Sequence, residues 1–148
     1  MAEIHVWAER TVEAPPDRVY RCIADYRQHH PRFLPPAFSD FRVEEGGVGE
    51  GTVIRFRLKA GGREREYHMR VAEPEPDRVL TESDLTSSLV TTFTVTPAGG
   101  GSRVRIDTRW QGAGGIGGFF ERTFAPRVIR NLYDDELTRL GEYARHQQ

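Results

Sequence analysis

Apolar residues recur three and four apart between Ile116 and Arg145. Phe120, Phe124, Val128 and Leu132 make one row; Ile129, Tyr133, Leu137, Leu140 and Ala144 make another. This spacing predicts a long amphipathic helix that buries one broad face. Upstream the period falls to two. Ile4, Val6, Ala8, Arg10 and Val12 alternate with His5, Trp7, Glu9 and Thr11, which predicts a strand. The run Ala14-Pro15-Pro16-Asp17 stops it and opens a short helix over 16–25, because proline suits a first turn and an acid suits the positive end of the dipole. Val19, Cys22, Ile23 and Tyr26 give that helix its apolar face. A second short helical segment is predicted over 25–34, ended by Pro35-Pro36.

Six further strands follow. They start at Phe41 and Val43, then run over 52–59, about Tyr67 to Val71, 79–83, 89–96 and 103–110, with glycine- or proline-rich turns between them. Within the hairpins Ile54, Phe56 and Leu58 alternate with Arg55 and Arg57, and Tyr67, Met69 and Val71 with Glu66, His68 and Arg70. That predicts an antiparallel sheet of about seven strands, apolar on one face and curled to enclose it. The long helix is the element left to cover that face. The order of elements is α+β in a single domain over 1–148.

Composition narrows the function. Hydrophobic content is 37% and charged content 29%, as expected of a folded chain, and the formal net charge of -1 supplies no field to attract nucleic acid. Positive charge is almost all arginine, with Lys59 the only lysine. The arginines at 55, 57, 63, 65, 70, 103, 105 and 109 are read as an outward set balanced by Glu64, Glu66 and Asp107, a solvated face rather than a nucleic-acid platform. Cys22 is alone, which excludes a disulfide framework, and is read as inert core. No signal-like or bilayer-length apolar run is present, so a cytoplasmic monomer or homodimer without integral membrane association is expected.

Few motifs carry chemistry. Gly112-Ala113-Gly114-Gly115-Ile116-Gly117 matches the dinucleotide fingerprint, but that site needs a parallel strand after the helix, and none follows. A hinge over Gly112–Gly118, near the mouth of a cavity, is the better reading. Phe120 and Phe124 are read as core, and Phe119, on the opposite side, as a lid. His29-His30 precedes Pro31 without zinc-ligand spacing, so both are read as exposed or turn-capping; no metal or cofactor is expected. Glu136 lies within the apolar face of the long helix. A carboxyl facing an apolar cavity has a raised pKa and can act as an acid or base, although pairing with an arginine at the edge of the face is the plainer alternative. Arg127 and Asn131 flank it. Tyr67, Thr81, Thr108 and Tyr133 are candidate hydrogen-bond donors on the inner side.

The stretches Ala14-Pro15-Pro16-Asp17-Arg18-Val19-Tyr20, Asp25-Tyr26-Arg27-Gln28-His29-His30-Pro31-Arg32-Phe33-Leu34-Pro35, Gly47-Val48-Gly49-Glu50-Gly51-Thr52 and Leu137-Thr138-Arg139-Leu140-Gly141-Glu142-Tyr143-Ala144 resemble the START and Bet v 1-like superfamily, in particular its bacterial polyketide cyclase/dehydrase-like branch. The resemblance spans essentially the whole chain. Phe33 stands where relatives often carry tryptophan. It implies a helix-grip fold, a sheet wrapped on a long C-terminal helix around an apolar cavity. It also implies a small hydrophobic ligand such as a lipid, isoprenoid or polyketide-like molecule, or alternatively cyclase, aromatase or dehydratase chemistry in the same cavity. The expected ligand-binding wall is Ile54, Phe56, Leu58, Met69, Val71, Phe93, Ile106 and Thr108 from the sheet, with Phe120, Phe124, Val128, Asn131 and Leu132 from the helix. Glu136 and Tyr67 are the candidate catalytic residues.

Overall fold

A computed structural model describes residues 3–111 and 126–147. In chain order its elements are β1 (Glu3–Val12), α1 (Pro16–Ala24), a 310 helix (His30–Phe33), β2 (Phe38–Glu45), β3 (Val53–Ala60), β4 (Arg63–Glu75), β5 (Val79–Asp84), β6 (Val90–Ala98), β7 (Gly101–Gln111) and α2 (Pro126–Arg145). The predicted hinge, Phe119, Phe120 and Phe124 lie outside the described residues. The segment predicted as a second helix over 25–34 is helical only as the 310 turn, preceded by turns.

All seven strands join one antiparallel sheet, ordered β1-β7-β6-β5-β4-β3-β2. Strands β3 to β7 follow one another as hairpins, whereas β1 pairs with β7 along its length, from Glu3 opposite Gln111 to Val12 opposite Ser102. The edges are therefore β1 and β2, neighbours in sequence and farthest apart in space. The chain between them, α1 and the 310 helix, has to cross from one edge to the other. That crossing brings His30 and Phe33 into the core, with exposures of 3% and 1%. Strand β2 is irregular, with register shifts against β3 and Asp40 at φ 52.

Proline at the start of α1 loses no hydrogen bond, because the first-turn N–H groups have no intrahelical partner. The helix ends at Asp25, whose Oδ1 accepts from the N–H groups of Arg27 (3.0 Å) and Gln28 (2.9 Å). The Tyr26 N–H then donates to Gly47 O (2.8 Å) and the Gly49 N–H to Ala24 O (2.9 Å), which ties the helix end to the β2–β3 turn. Gly49 has φ +68, a backbone conformation that favours glycine.

The inner face holds Val6, Ala8, Ile54, Met69, Leu80, Phe93, Ile106 and Trp110, all buried under α1 and α2. Helix α2 contributes Ile129, Tyr133, Glu136, Leu137, Leu140 and Ala144. On the outer face arginines and acids pair across strands: Arg55 with Glu44 (2.8 Å) and Glu66 (3.3 Å), Arg57 with Glu64 (3.1 Å), and Arg109 with Glu3 (3.0 Å). Arg65 departs from the expected outward set. It shares the parity of Tyr67 and Met69, lies over the Tyr67 ring at 4.6 Å, and binds Asp84 Oδ2 at 2.9 Å. No described helix is long and apolar enough to cross a membrane.

Candidate functional site

Between the inner face and α2 lies a small cavity, about 50 Å³ in volume and partly open to solvent. Side-chain alternation puts Ile54, Phe56 and Leu58 of β3 and Tyr67 and Met69 of β4 on its wall, joined by Phe38, Phe41, Phe93 and Ile106. Three residues of α2, Ile129, Tyr133 and Glu136, face it; spacings of four and three stack them along one side of the helix. The wall is strongly aromatic. Phe56 lies 5.4 Å from both the Phe38 and the Tyr67 ring centroids.

Polar atoms gather around Glu82 and Glu136. On β5 the inward set is Leu80, Glu82 and Asp84, so the second carboxyl of the cavity comes from the sheet. Glu82 is 6% exposed and accepts a hydrogen bond from the Tyr26 hydroxyl (2.6 Å). Burial raises its pKa to about 7, against the lowering effect of that hydrogen bond. Glu136 is 3% exposed, and no described residue donates a hydrogen bond to it. Burial and then the Glu82 charge hold its pKa well above the ordinary carboxylate range.

His30 completes the group. It stacks on Tyr26 with ring centroids 4.4 Å apart, and its Nδ1 lies 2.7 Å from Ile23 O. A carbonyl only accepts, so Nδ1 carries the hydrogen and Nε2 is the acceptor of the neutral ring. Burial lowers the His30 pKa to about 4, which keeps the ring neutral near pH 7. Nε2 stands 3.9 Å from Glu82 Oε2. Nearby, Tyr133 and Thr108 hydroxyls are hydrogen-bonded to each other, and Thr108 to Thr91 (2.8 Å). The cavity thus joins an apolar, aromatic body to two protonatable carboxyls and an acceptor nitrogen, which can hold a greasy molecule and exchange protons with it.

A family model described as polyketide cyclase/dehydrase and lipid transport matches residues 3–145. The chain belongs to that family. The polyketide cyclase/dehydrase family lies in the START and Bet v 1-like superfamily, and the sheet gripping α2 is its helix-grip fold. Among solved structures, the solution structure of the KanY protein is 37% identical, covers 98% of this chain and 99% of its own, and superposes with a TM-score of 0.86. The Zhui aromatase/cyclase from Streptomyces sp. R1128 is 18% identical (97% of this chain, 94% of its own, TM-score 0.76). Major latex-like protein 151 from Panax ginseng is 14% identical (96% and 97%, TM-score 0.74). At those identities the last two share the fold. No protein of curated function matches the chain.

Of the residues expected from the sequence, Ile54, Phe56, Leu58, Met69, Phe93, Ile106, Tyr67 and Glu136 are on the cavity wall. Val71 is fully buried in the core rather than on that wall, and Thr108 lies behind Tyr133. Val128 and Leu132 are half-buried beside the face that looks into the cavity. Asn131 is exposed and borders, with Arg127 and Trp7, a separate surface groove. Thr81 lies on the opposite side of β5 from Glu82. His30, expected to be exposed or capping a turn, is a buried wall residue, because the crossing from β1 to β2 carries it inward. Glu82 was not anticipated; only the parity it shares with Leu80 signals its direction.

Proposed function

We propose that this chain binds a small hydrophobic molecule between the sheet and α2. The carrying observation is the aromatic lining of that cavity, set between the sheet and α2 and partly open to solvent. Affinity comes from apolar area removed from water, and the polar group orients the ligand. A larger side chain pointing into the cavity therefore competes with the ligand. Ile129→Trp should weaken binding of the uncharged dye Nile red by roughly 30-fold, equivalent to ~2 kcal/mol of lost apolar contact, and lower stability by about 1–3 kcal/mol, because Ile129 is 1% exposed and the larger ring overpacks its site. Fluorescence titration and urea unfolding measure the two. Undiminished dye binding by a folded variant would place the ligand elsewhere.

A second reading, acid/base catalysis of a cyclisation or dehydration, is favoured by the two buried carboxyls. Glu136 touches the cavity, lacks a donor among the described residues, and has its pKa raised well above the ordinary carboxylate value by burial, the direction a general acid needs. Tyr67 lines the same wall, but burial raises its pKa far above neutrality, so it serves as a hydrogen-bond donor rather than a base. If the chain is an enzyme, Glu136→Gln lowers turnover of a poly-ketone substrate about 100-fold while Nile red affinity stays within about twofold. Turnover that survives the change would remove Glu136 from the chemistry.

A further inference from the structure

The polar end of the cavity has a defined hydrogen-bonding polarity. His30 Nε2 is an acceptor, because Nδ1 is committed to Ile23 O at 2.7 Å. Glu82 Oε2 stands 3.9 Å from it, too far for a mutual hydrogen bond. Both residues line the cavity. One oxygen atom can lie within hydrogen-bonding distance of both, since two such bonds reach farther than the gap. A group bridging them has to donate to Nε2, and it meets at Glu82 a carboxyl that accepts when ionised and donates when protonated. A hydroxyl does both; an ether or ketone cannot donate.

Charge points the same way. Among the described residues the cavity wall carries no lysine or arginine. Arg65, which packs on Tyr67, is paired with Asp84 at 2.9 Å. A carboxylate or phosphate head would enter beside two carboxyls with no cation among the described wall residues to receive it, which is costly in a buried site.

We propose that the gap between His30 and Glu82 is a hydroxyl-recognition site, so that the ligand is a hydrophobic alcohol or phenol rather than an anionic lipid. The assignment rests on the binding function proposed above and gives that function a ligand class. On His30 the neutral ring, stacked on Tyr26, is held rigidly enough to select a donor.

Four probes of nearly equal apolar size test it on the full chain at pH 7: 2-naphthol, 2-methoxynaphthalene, 2-naphthoate and 2-naphthylmethylamine. Calorimetry should show 2-naphthol binding roughly tenfold tighter than its methyl ether, the expected worth of a well-placed hydrogen bond, and naphthoate binding weakest. In protein labelled with 15N-histidine, the His30 Nε2 resonance should move with 2-naphthol and not with the ether. His30→Phe, which keeps a ring against Tyr26, should erase the preference for the hydroxyl. Should that variant not fold, the probe series and the resonance decide on the unaltered protein. Equal binding of alcohol and ether, tighter binding of the carboxylate or the ammonium, or a stationary His30 signal at saturation would overturn the assignment. If Nile red binds and none of the naphthalenes does, only the hydroxyl site fails; if neither binds, the carrier function fails with it.

Discussion

Replacing Glu82 by glutamine should stabilise the protein at pH 8 by on the order of 3 kcal/mol and leave it unchanged near pH 4. The side chains have nearly the same shape, and the glutamine oxygen can still accept from the Tyr26 hydroxyl, which donates to Glu82 at 2.6 Å. What differs is the charge. Burial lifts Glu82 from the ordinary 4.5 to about 7 in the folded chain. Between those values the folded protein holds a proton that the unfolded chain releases, so stability falls as pH rises from 4.5 and levels off above 7. Glutamine has no proton to lose. The gap between variant and native chain should open across that window, measured by urea unfolding at stepped pH. A gap that stays flat would mean that Glu82 is ionised and well partnered in the fold.

Other groups around the site shape the rest of the curve. His30 works in the opposite direction, because burial lowers it from 6.5 to about 4. As pH falls through that interval the unfolded chain takes up a proton that the folded ring refuses, and stability is lost on the acid side. Glu136, raised by burial and by the Glu82 charge, adds to the alkaline loss. Tyr26 and Tyr133, both raised by burial, remain neutral throughout the range. The variant therefore keeps its acid limb and loses part of its alkaline one. Burying two carboxyls beside a neutral imidazole lowers stability on both sides, and such an arrangement at a cavity wall is the pattern expected of a working site.

How much of this was legible in the sequence depended on how local each cause is. Strands β3 and β4 were readable because Ile54-Arg55-Phe56-Arg57-Leu58 and Tyr67-His68-Met69-Arg70-Val71 set their own parity. Strand β5 was not, because Val79 and Leu80 are both apolar and point to opposite sides. Thr81 shares the parity of Val79, while the sheet follows Leu80 and carries Glu82 inward with it. In α2 the two candidate rows lie side by side on the helix, and tertiary packing chose Ile129 and Tyr133 over Val128 and Leu132. Glu136, three residues after Tyr133, belonged to the inward side by either row. His30 could not be placed from its neighbours in sequence. Its burial follows from β1 pairing with β7, which forces the next segment across the sheet to reach β2.

The same geometry makes α2 expensive to loosen. Leu137→Ala should lower stability by about 3–4 kcal/mol, near the upper half of the range for truncating a buried leucine. Leu137 is fully buried, one residue beyond the cavity-facing Glu136, in a helix packed on β1, α1 and the 310 helix. The loss has a transfer part and a void part, and the void part shrinks only where neighbours can move in. Here they are held. Below, β1 is locked to β7 in unbroken register over ten residue pairs; on the other side, the end of α1 is tied to the β2–β3 turn through Tyr26 and Gly49. The new void would lie beside a cavity that the fold already leaves open. Urea unfolding gives the cost directly, and adding Nile red at saturation should recover part of it, because a ligand bound only to the folded state stabilises that state. A cost below about 1.5 kcal/mol would mean that α2 settles onto the sheet when its anchor is cut. The cavity would then be kept open by the helix alone rather than by the rigidity of the sheet around it.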